Sequence, residues 1–314
     1  MDDSKTPAQD RRPFRARTVL IPAAGMAGHI VTSTVVSLVF VFVIMAQLMA
    51  RQGISSTAGL VSILASLGQD ASDALVQLST RAAFVYSIVQ IALFLPIFRY
   101  LKGREPAFYP TERPRALQLL SAVAIAAGLS GLIGLMFQGA EALGNSVPYV
   151  KSVLSDYADL SRAFSGDGNL FWVIASTCIA VPIAEELIFR GLIMNELRRV
   201  MPLWVAVVLQ GLLFALFHMN TVQTLYVLIP GILLGAVYAW TRSIAVPMVM
   251  HVAFNLLGAA VPSALGAGTA YDVVFIVECA FILVGTLCAV WLHLSRGKGS
   301  ATPQDAAGAA STAP

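Results

Sequence analysis

Apolar runs long enough to form membrane-crossing helices recur along this chain from about residue 28 to residue 294, separated by short polar connections. A helix needs about 20 apolar residues to cross the hydrocarbon core of a bilayer. That requirement divides the chain into about eight crossings, near 28–50, 81–99, 116–137, 169–191, 202–219, 223–241, 244–261 and 271–294, with the fifth to seventh short and closely coupled. The pattern predicts an all-α, polytopic transmembrane helix bundle. The longest connection, about 138–168, contains the stretch Val147 to Phe164, which mixes apolar and charged residues at loosely helical spacing. It reads as an interfacial helix, a cap over a cavity or an ordinary surface loop.

No polar block between the runs is large enough to fold separately, so residues 28–294 are expected to form one transmembrane domain. A basic cytoplasmic tail, 1–27, precedes it. The tail after it, 295–314, is rich in Ala, Gly, Ser, Thr and Pro, cannot bury a core, and is expected to be disordered. The first apolar run is too long for the apolar region of a signal peptide and is expected to stay as an anchor. Composition agrees, with 57% hydrophobic and 12% charged residues, where soluble domains carry about 25% charged. A net charge of +3, dispersed between the runs, argues against nucleic acid as a partner. Cys178, Cys279 and Cys288 all fall in apolar segments and read as small buried hydrophobes, not a disulfide framework.

Lys and Arg near span ends set orientation, because cytoplasmic loops retain them. Arg11 to Arg17, then Arg99 to Arg115, then Arg198 and Arg199, then Arg242, and finally Arg296 and Lys298 fall on one side of an even number of spans. Asp70, Asp73, Glu141, Asp156, Asp159 and Asp167 fall on the other. Both termini are therefore expected in the cytoplasm. The high Ala, Gly and Val content and short tails suit a multi-pass protein of the bacterial plasma membrane, with lipid as its surroundings.

Three stretches break the apolar pattern: Glu185 to Gly191, Phe214 to His218, and His251 to Asn255. A charge at membrane depth costs about 2.5–3.5 kcal/mol on insertion scales and must face a partner or a wet cavity. Glu186 and Arg190 lie four apart with the acid on the N-terminal side, the better orientation for an ion pair, so Glu186 has a structural task. Glu185 points about 100° away and has no counter-ion in its own helix, which makes it the candidate for chemistry. His251 and Asn255 share one helix face. Counted from the basic ends at about 1.5 Å per residue, Glu185, His218 and Asn255 fall within one turn of roughly 20 Å depth, with His251 one turn shallower. His29 and His293, near span ends, read as interfacial, and Trp172, Trp204, Trp240 and Trp291 as interface-belt residues.

The order Glu-Glu-x-x-x-Arg, Phe-x-x-x-His, His-x-x-x-Asn, carried by Glu185 to Arg190, Phe214 to His218 and His251 to Asn255, resembles the CPBP family. This is the family of CAAX proteases and bacteriocin-processing enzymes, also called Abi or lysostaphin-resistance-protein-A-like. The resemblance covers about residues 169–262 and departs at no defining position. It implies an intramembrane endopeptidase in which Glu185 and His218 activate a water, His251 and Asn255 stabilise the oxyanion, and Glu186 and Arg190 hold the helix.

The residues suit that chemistry without the family, since peptide hydrolysis needs a general base near the water and donors at the oxyanion. Two readings of the cofactor stay open. Glu185, His218 and His251 could hold Zn²⁺ with an open fourth position, or the reaction could be glutamate-dependent with no metal; the His-Glu-x-x-His helix of many zinc peptidases is absent. The expected partner is a membrane-associated protein or peptide substrate, whose identity and cleavage site the residues do not disclose, and the oligomeric state is equally unspecified. Two other classes compete. A proton- or ion-coupled transporter would also place carboxylates and histidines in the membrane, and Pro182 and Pro230 interrupt spans as its helices would. A catalytically inactive immunity or scaffold protein would share the motifs without turnover.

Overall fold

The computed structural model describes residues 14–52, 69–165, 169–266 and 268–296. Arg11, Arg12, Asp167, Lys298 and the tail from 297 lie outside these residues. Helices run over α1 (Arg17–Gln52), α2 (Gln69–Arg104), α3 (Ala116–Gly144) and α4 (Pro148–Ser165). Then come α5 (Leu170–Leu197), α6 (Leu203–Leu216), α7 (Thr221–Thr241), α8 (Ala245–Leu265) and α9 (Thr269–Ser295). There are no strands among the described residues, and seven of the helices are long and apolar enough to cross a membrane. The fifth expected crossing, 202–219, forms α6, an apolar helix of only 14 residues, or about 21 Å. It is short because the chain turns back at His218.

The centre of the bundle is α5, where every residue from Glu186 to Leu197 is buried. A helix buried all round needs neighbours on every side, and α1, α2, α6, α7 and α8 all pack against it. Its core partners include Phe94 and Phe98 of α2, Tyr109 and Phe214. A second core layer joins α3, α7, α8 and α9 through Ile125, Leu129, Leu234, Val246, Met250 and Leu292. In lipid, helices associate by close packing of small residues. A Cβ on Gly128 or Gly131 would come 2.5 Å from the backbone oxygens of Phe281 and Glu278, so α3 and α9 touch backbone to backbone there.

The stretch Val147 to Phe164 forms α4, an amphipathic helix that packs on α2, α3, α5 and α7. Its Tyr157 stacks on Phe137, 5.8 Å between ring centroids, and its hydroxyl lies 3.0 Å from that of Tyr226 on α7. The stretch is thus a packed amphipathic helix and not a loose surface loop.

Helix α1 begins at Arg17, well before the apolar run, and passes through Pro22. Ion pairs, not lipid, hold that first turn. Arg17 reaches Glu105 and Glu196, each at 2.7 Å. Arg199 bridges the same two carboxylates, meeting Glu196 at 3.1 Å and Glu105 more closely, and the Tyr109 hydroxyl donates to Glu196. Burial opposes ionisation of Glu105, but Arg199 and Arg17 outweigh it and hold its carboxyl below the ordinary range. Arg198 and Arg199, expected only as topological signals, are thus buried parts of the fold.

Candidate active site

Glu185 and Glu186 stand where α5 passes from an α-helical segment, Val181–Glu186, into a π-helical one, Leu187–Met194. π-Helical turns are rare and frequently mark functional sites. The fully buried Glu186 accepts through one oxygen, Oε1, from Arg190 Nη1 at 2.8 Å and from His251 Nδ1 at 2.9 Å. Arg190, also fully buried, donates its other terminal nitrogen to the Gly231 carbonyl at 2.8 Å and lies over the Phe214 ring at 4.6 Å. The expected ion pair is therefore present, and it carries a second task that helical spacing alone did not disclose. By engaging Nδ1, Glu186 orients His251 so that Nε2 faces Glu185 Oε2 across 3.7 Å. Glu185 keeps partial exposure, with 13% of its side chain accessible.

His218 sits on the turn that ends α6, and the backbone there explains its tautomer. The amide of Phe217 bonds to Leu213 O, whereas that of His218 turns back to Ala215 O, so the Phe214 carbonyl does not receive the usual helical amide. His218 Nδ1 lies 2.9 Å from that carbonyl and donates to it, leaving Nε2 as the ring's acceptor. Met219 then adopts a left-handed conformation, φ 50°, and Asn220 caps α7 by accepting from the Gln223 amide at 3.0 Å. The returning helix packs tightly, since a Cβ on Gly211 would lie 2.8 Å from the Ile232 nitrogen. The Phe214 ring meets both imidazoles edge-on, at 5.0 Å from His218 and 5.7 Å from His251.

Asn255 donates through Nδ2 to the Thr177 carbonyl at 2.8 Å. That carbonyl is available for a definite reason. In the π-helical turns of Val173–Ala180 the Val181 amide bonds to Ser176 O, and the next residue able to serve Thr177 would be Pro182, which has no N–H. Pro182 thus frees the acceptor that holds Asn255. Cys178 donates to the Asn255 carbonyl at 3.3 Å, and all three cysteines are free thiols.

Glu185, Glu186, Arg190 and His251 are joined by direct polar contacts, His218 joins them through Phe214, and Asn255 lies one turn beyond His251. Among the described residues no hydrogen bond links Glu185 to His218 or Asn255. His29, read as interfacial, instead packs against Phe217 at 4.7 Å between ring centroids, immediately beside His218. His293 meets Trp240 at 5.3 Å on α9. No group of three His, Cys, Asp or Glu side chains suited to a metal ion forms among the described residues. Glu185, His218 and His251 as placed do not form such a group, although His251, with Nδ1 held by Glu186, keeps Nε2 open.

Residues 167–257 match the family model described as type II CAAX prenyl endopeptidase Rce1-like. This segment is Rce1-like. It spans under a third of the 314 residues and contains every motif position from Glu185 to Asn255. The match agrees with the CPBP resemblance and points to a protease. Neither a curated protein nor a solved structure matches the chain. With seven apolar helices of crossing length among the described residues, the chain is a multi-pass membrane protein. Helices α1 to α4 lie outside the Rce1-like segment, yet α1 and α2 pack directly against α5 beside its glutamates.

Proposed function

We propose that the protein is an intramembrane endopeptidase that hydrolyses a peptide bond in a membrane-associated protein or peptide. The observation that carries this reading is the pairing of Glu185 with a pre-oriented His251, Nε2 facing Oε2 at 3.7 Å, inside the Rce1-like segment. A water beside Glu185 attacks the scissile carbonyl carbon as Glu185, assisted by Nε2 of His218, takes its proton. His251 Nε2 and the second N–H of the Asn255 carboxamide donate to the tetrahedral oxyanion. Donation from Nε2 requires the doubly protonated ring, which then lies between the carboxylates of Glu186 and Glu185. Collapse of the intermediate breaks the C–N bond, and the proton held at Glu185 passes to the leaving amine. No step runs through a metal ion.

Comparative membrane proteomics of cells carrying the wild type and Glu185→Ala tests the reading. Peptides ending at a common cut site are expected only with the wild type. Identical peptide sets in the two strains would count against a peptidase.

Asn255→Ala is expected to leave a slower enzyme, with kcat lower by about 10²–10³ and KM little changed, because one oxyanion donor is lost. Steady-state kinetics on a cut peptide would show this, and an unchanged kcat would remove Asn255 from the oxyanion site.

We also propose that both termini are cytoplasmic, as the distribution of Lys and Arg supports. With Cys178, Cys279 and Cys288 removed, Lys5→Cys and Asp305→Cys should resist an impermeant thiol reagent in intact cells and react after permeabilisation. Labelling of either in intact cells would refute the orientation.

A further inference from the structure

Arg198 is the first residue beyond α5, and only 8% of it is exposed. The other arginines packed around it each have a carboxylate: Arg17 and Arg199 share Glu105 and Glu196, and Arg242 bonds Glu112 through Nε at 2.5 Å. Arg198 has none among the described residues. Its Nε is buried without a hydrogen-bond partner, while its terminal nitrogens reach the surface and bond to no side chain or carbonyl of the described residues. Burial lowers its pKa from the ordinary arginine value, the Tyr238 phenol works against that, and the charges of Arg242 and Arg199 lower it further. A guanidinium buried beside two others of like charge is costly unless an anion joins it, and the acids within the chain are already engaged.

The position of the residue names the anion. Arg198 follows the last residue of one membrane-crossing helix, and Arg242 ends another, α7, in a left-handed conformation with φ 53°. Both stand where helices leave the hydrocarbon, the level at which phosphate is the abundant anion and basic clefts between helices take headgroups. Arg242 is fixed on two sides, because its carbonyl accepts from the Glu112 amide at 2.9 Å and its Nε holds the Glu112 carboxylate. Its terminal nitrogens stay open, on a side chain that is 48% exposed. We propose that Arg198 and Arg242 form a phosphate-binding site at the ends of α5 and α7, the terminal nitrogens of both guanidiniums donating to the oxygens of one phosphate group. The planar fork of a guanidinium matches two such oxygens at once. Glu185 lies about 20 Å further along the same helix, so the site is separate from the glutamate pair and does not depend on the peptidase reading.

The test melts the full-length protein in a neutral maltoside detergent while dioleoyl phosphatidylglycerol, dioleoyl phosphatidylcholine or inorganic phosphate is added. Phosphatidylglycerol is expected to raise the melting temperature of the wild type saturably, because a ligand that binds only the folded state stabilises it. Arg198→Met and Arg242→Gln should each need about tenfold more of that lipid for half the shift, the loss of charge-assisted bonds to phosphate. Arg113→Gln, at an exposed arginine of the same end, should titrate as the wild type does. Without lipid, Arg198→Met should melt no lower than the wild type, since Met keeps the apolar stem and removes the unpaired charge. A role in the fold alone predicts a lower melting temperature both with and without lipid. Arg242→Gln alters a half-exposed side chain and reads the site even where Arg198→Met does not fold. The same shift from inorganic phosphate assigns the site to a soluble phosphate, and a shift from phosphatidylglycerol alone assigns it to a lipid headgroup. The site is overturned by a shift that phosphatidylcholine matches, that Arg198→Met and Arg242→Gln leave intact or that Arg113→Gln weakens equally, and by no shift with either phosphate source.

Discussion

Glu185→Gln is expected to abolish peptide cleavage while the protein still inserts, folds and binds substrate. The change is nearly isosteric and removes the carboxylate that faces His251, with kcat falling by at least about 10²–10⁴, the contribution of a positioned base. Glu185 takes no part in the buried ion pair, which belongs to Glu186, so stability should change little. Turnover and peptide binding measured on the same preparation separate the two effects, since loss of a base acts on the chemical step. Metal content of the purified variant is the companion measurement. If it falls with Glu185→Gln, and if a chelator inactivates the wild type reversibly with Zn²⁺, Glu185 is a ligand and not a base. Full cleavage by Glu185→Gln with metal content unchanged would remove the residue from the mechanism.

Arg190→Ala should be the most destabilising single change in the molecule. It strips a fully buried guanidinium from Glu186, from the Gly231 carbonyl and from the face of Phe214. Breaking a buried pair from one side costs about 3–5 kcal/mol, because the abandoned charge stays buried. The readout is the yield of monodisperse protein after extraction and its melting temperature. Glu186→Gln combined with Arg190→Gln should recover part of the loss, as coupled residues do. Activity should not return with the fold, since Gln at 186 holds Nδ1 of His251 less firmly than a carboxylate does. A double variant as unstable as the two single variants summed would show that the pair is not coupled.

The membrane character, the approximate positions of the crossings and the Glu186–Arg190 pair were all legible in the chain, because each is a local periodicity. What was hidden depends on partners distant in sequence. Helical spacing pairs Glu186 with Arg190, but cannot disclose that the same oxygen also holds His251, 65 positions away. The grip of Thr177 on Asn255 left one signal in the chain, Pro182, which read as a transporter-like break and instead frees an acceptor. His29 was judged by its distance from the end of an apolar run, yet α1 begins at Arg17, which carries His29 further along the helix than the run suggested. The shortness of α6 followed from the turn at Met219, a left-handed residue with no glycine to announce it.

The ion cluster around Arg17 also bears on how the chain assembles during synthesis. Arg17 and Glu196 are 179 residues apart, so the first helix emerges and enters the bilayer long before its carboxylate partner has been translated. Until then Arg17 can turn only to water, to lipid phosphate or to Glu105, which itself waits for Arg199. The knot that fastens α1 to the central helix is therefore tied late, after five helices have left the ribosome. A nascent chain stopped before residue 196 would hold its first helix without that anchor, open to whatever insertion factors attend it.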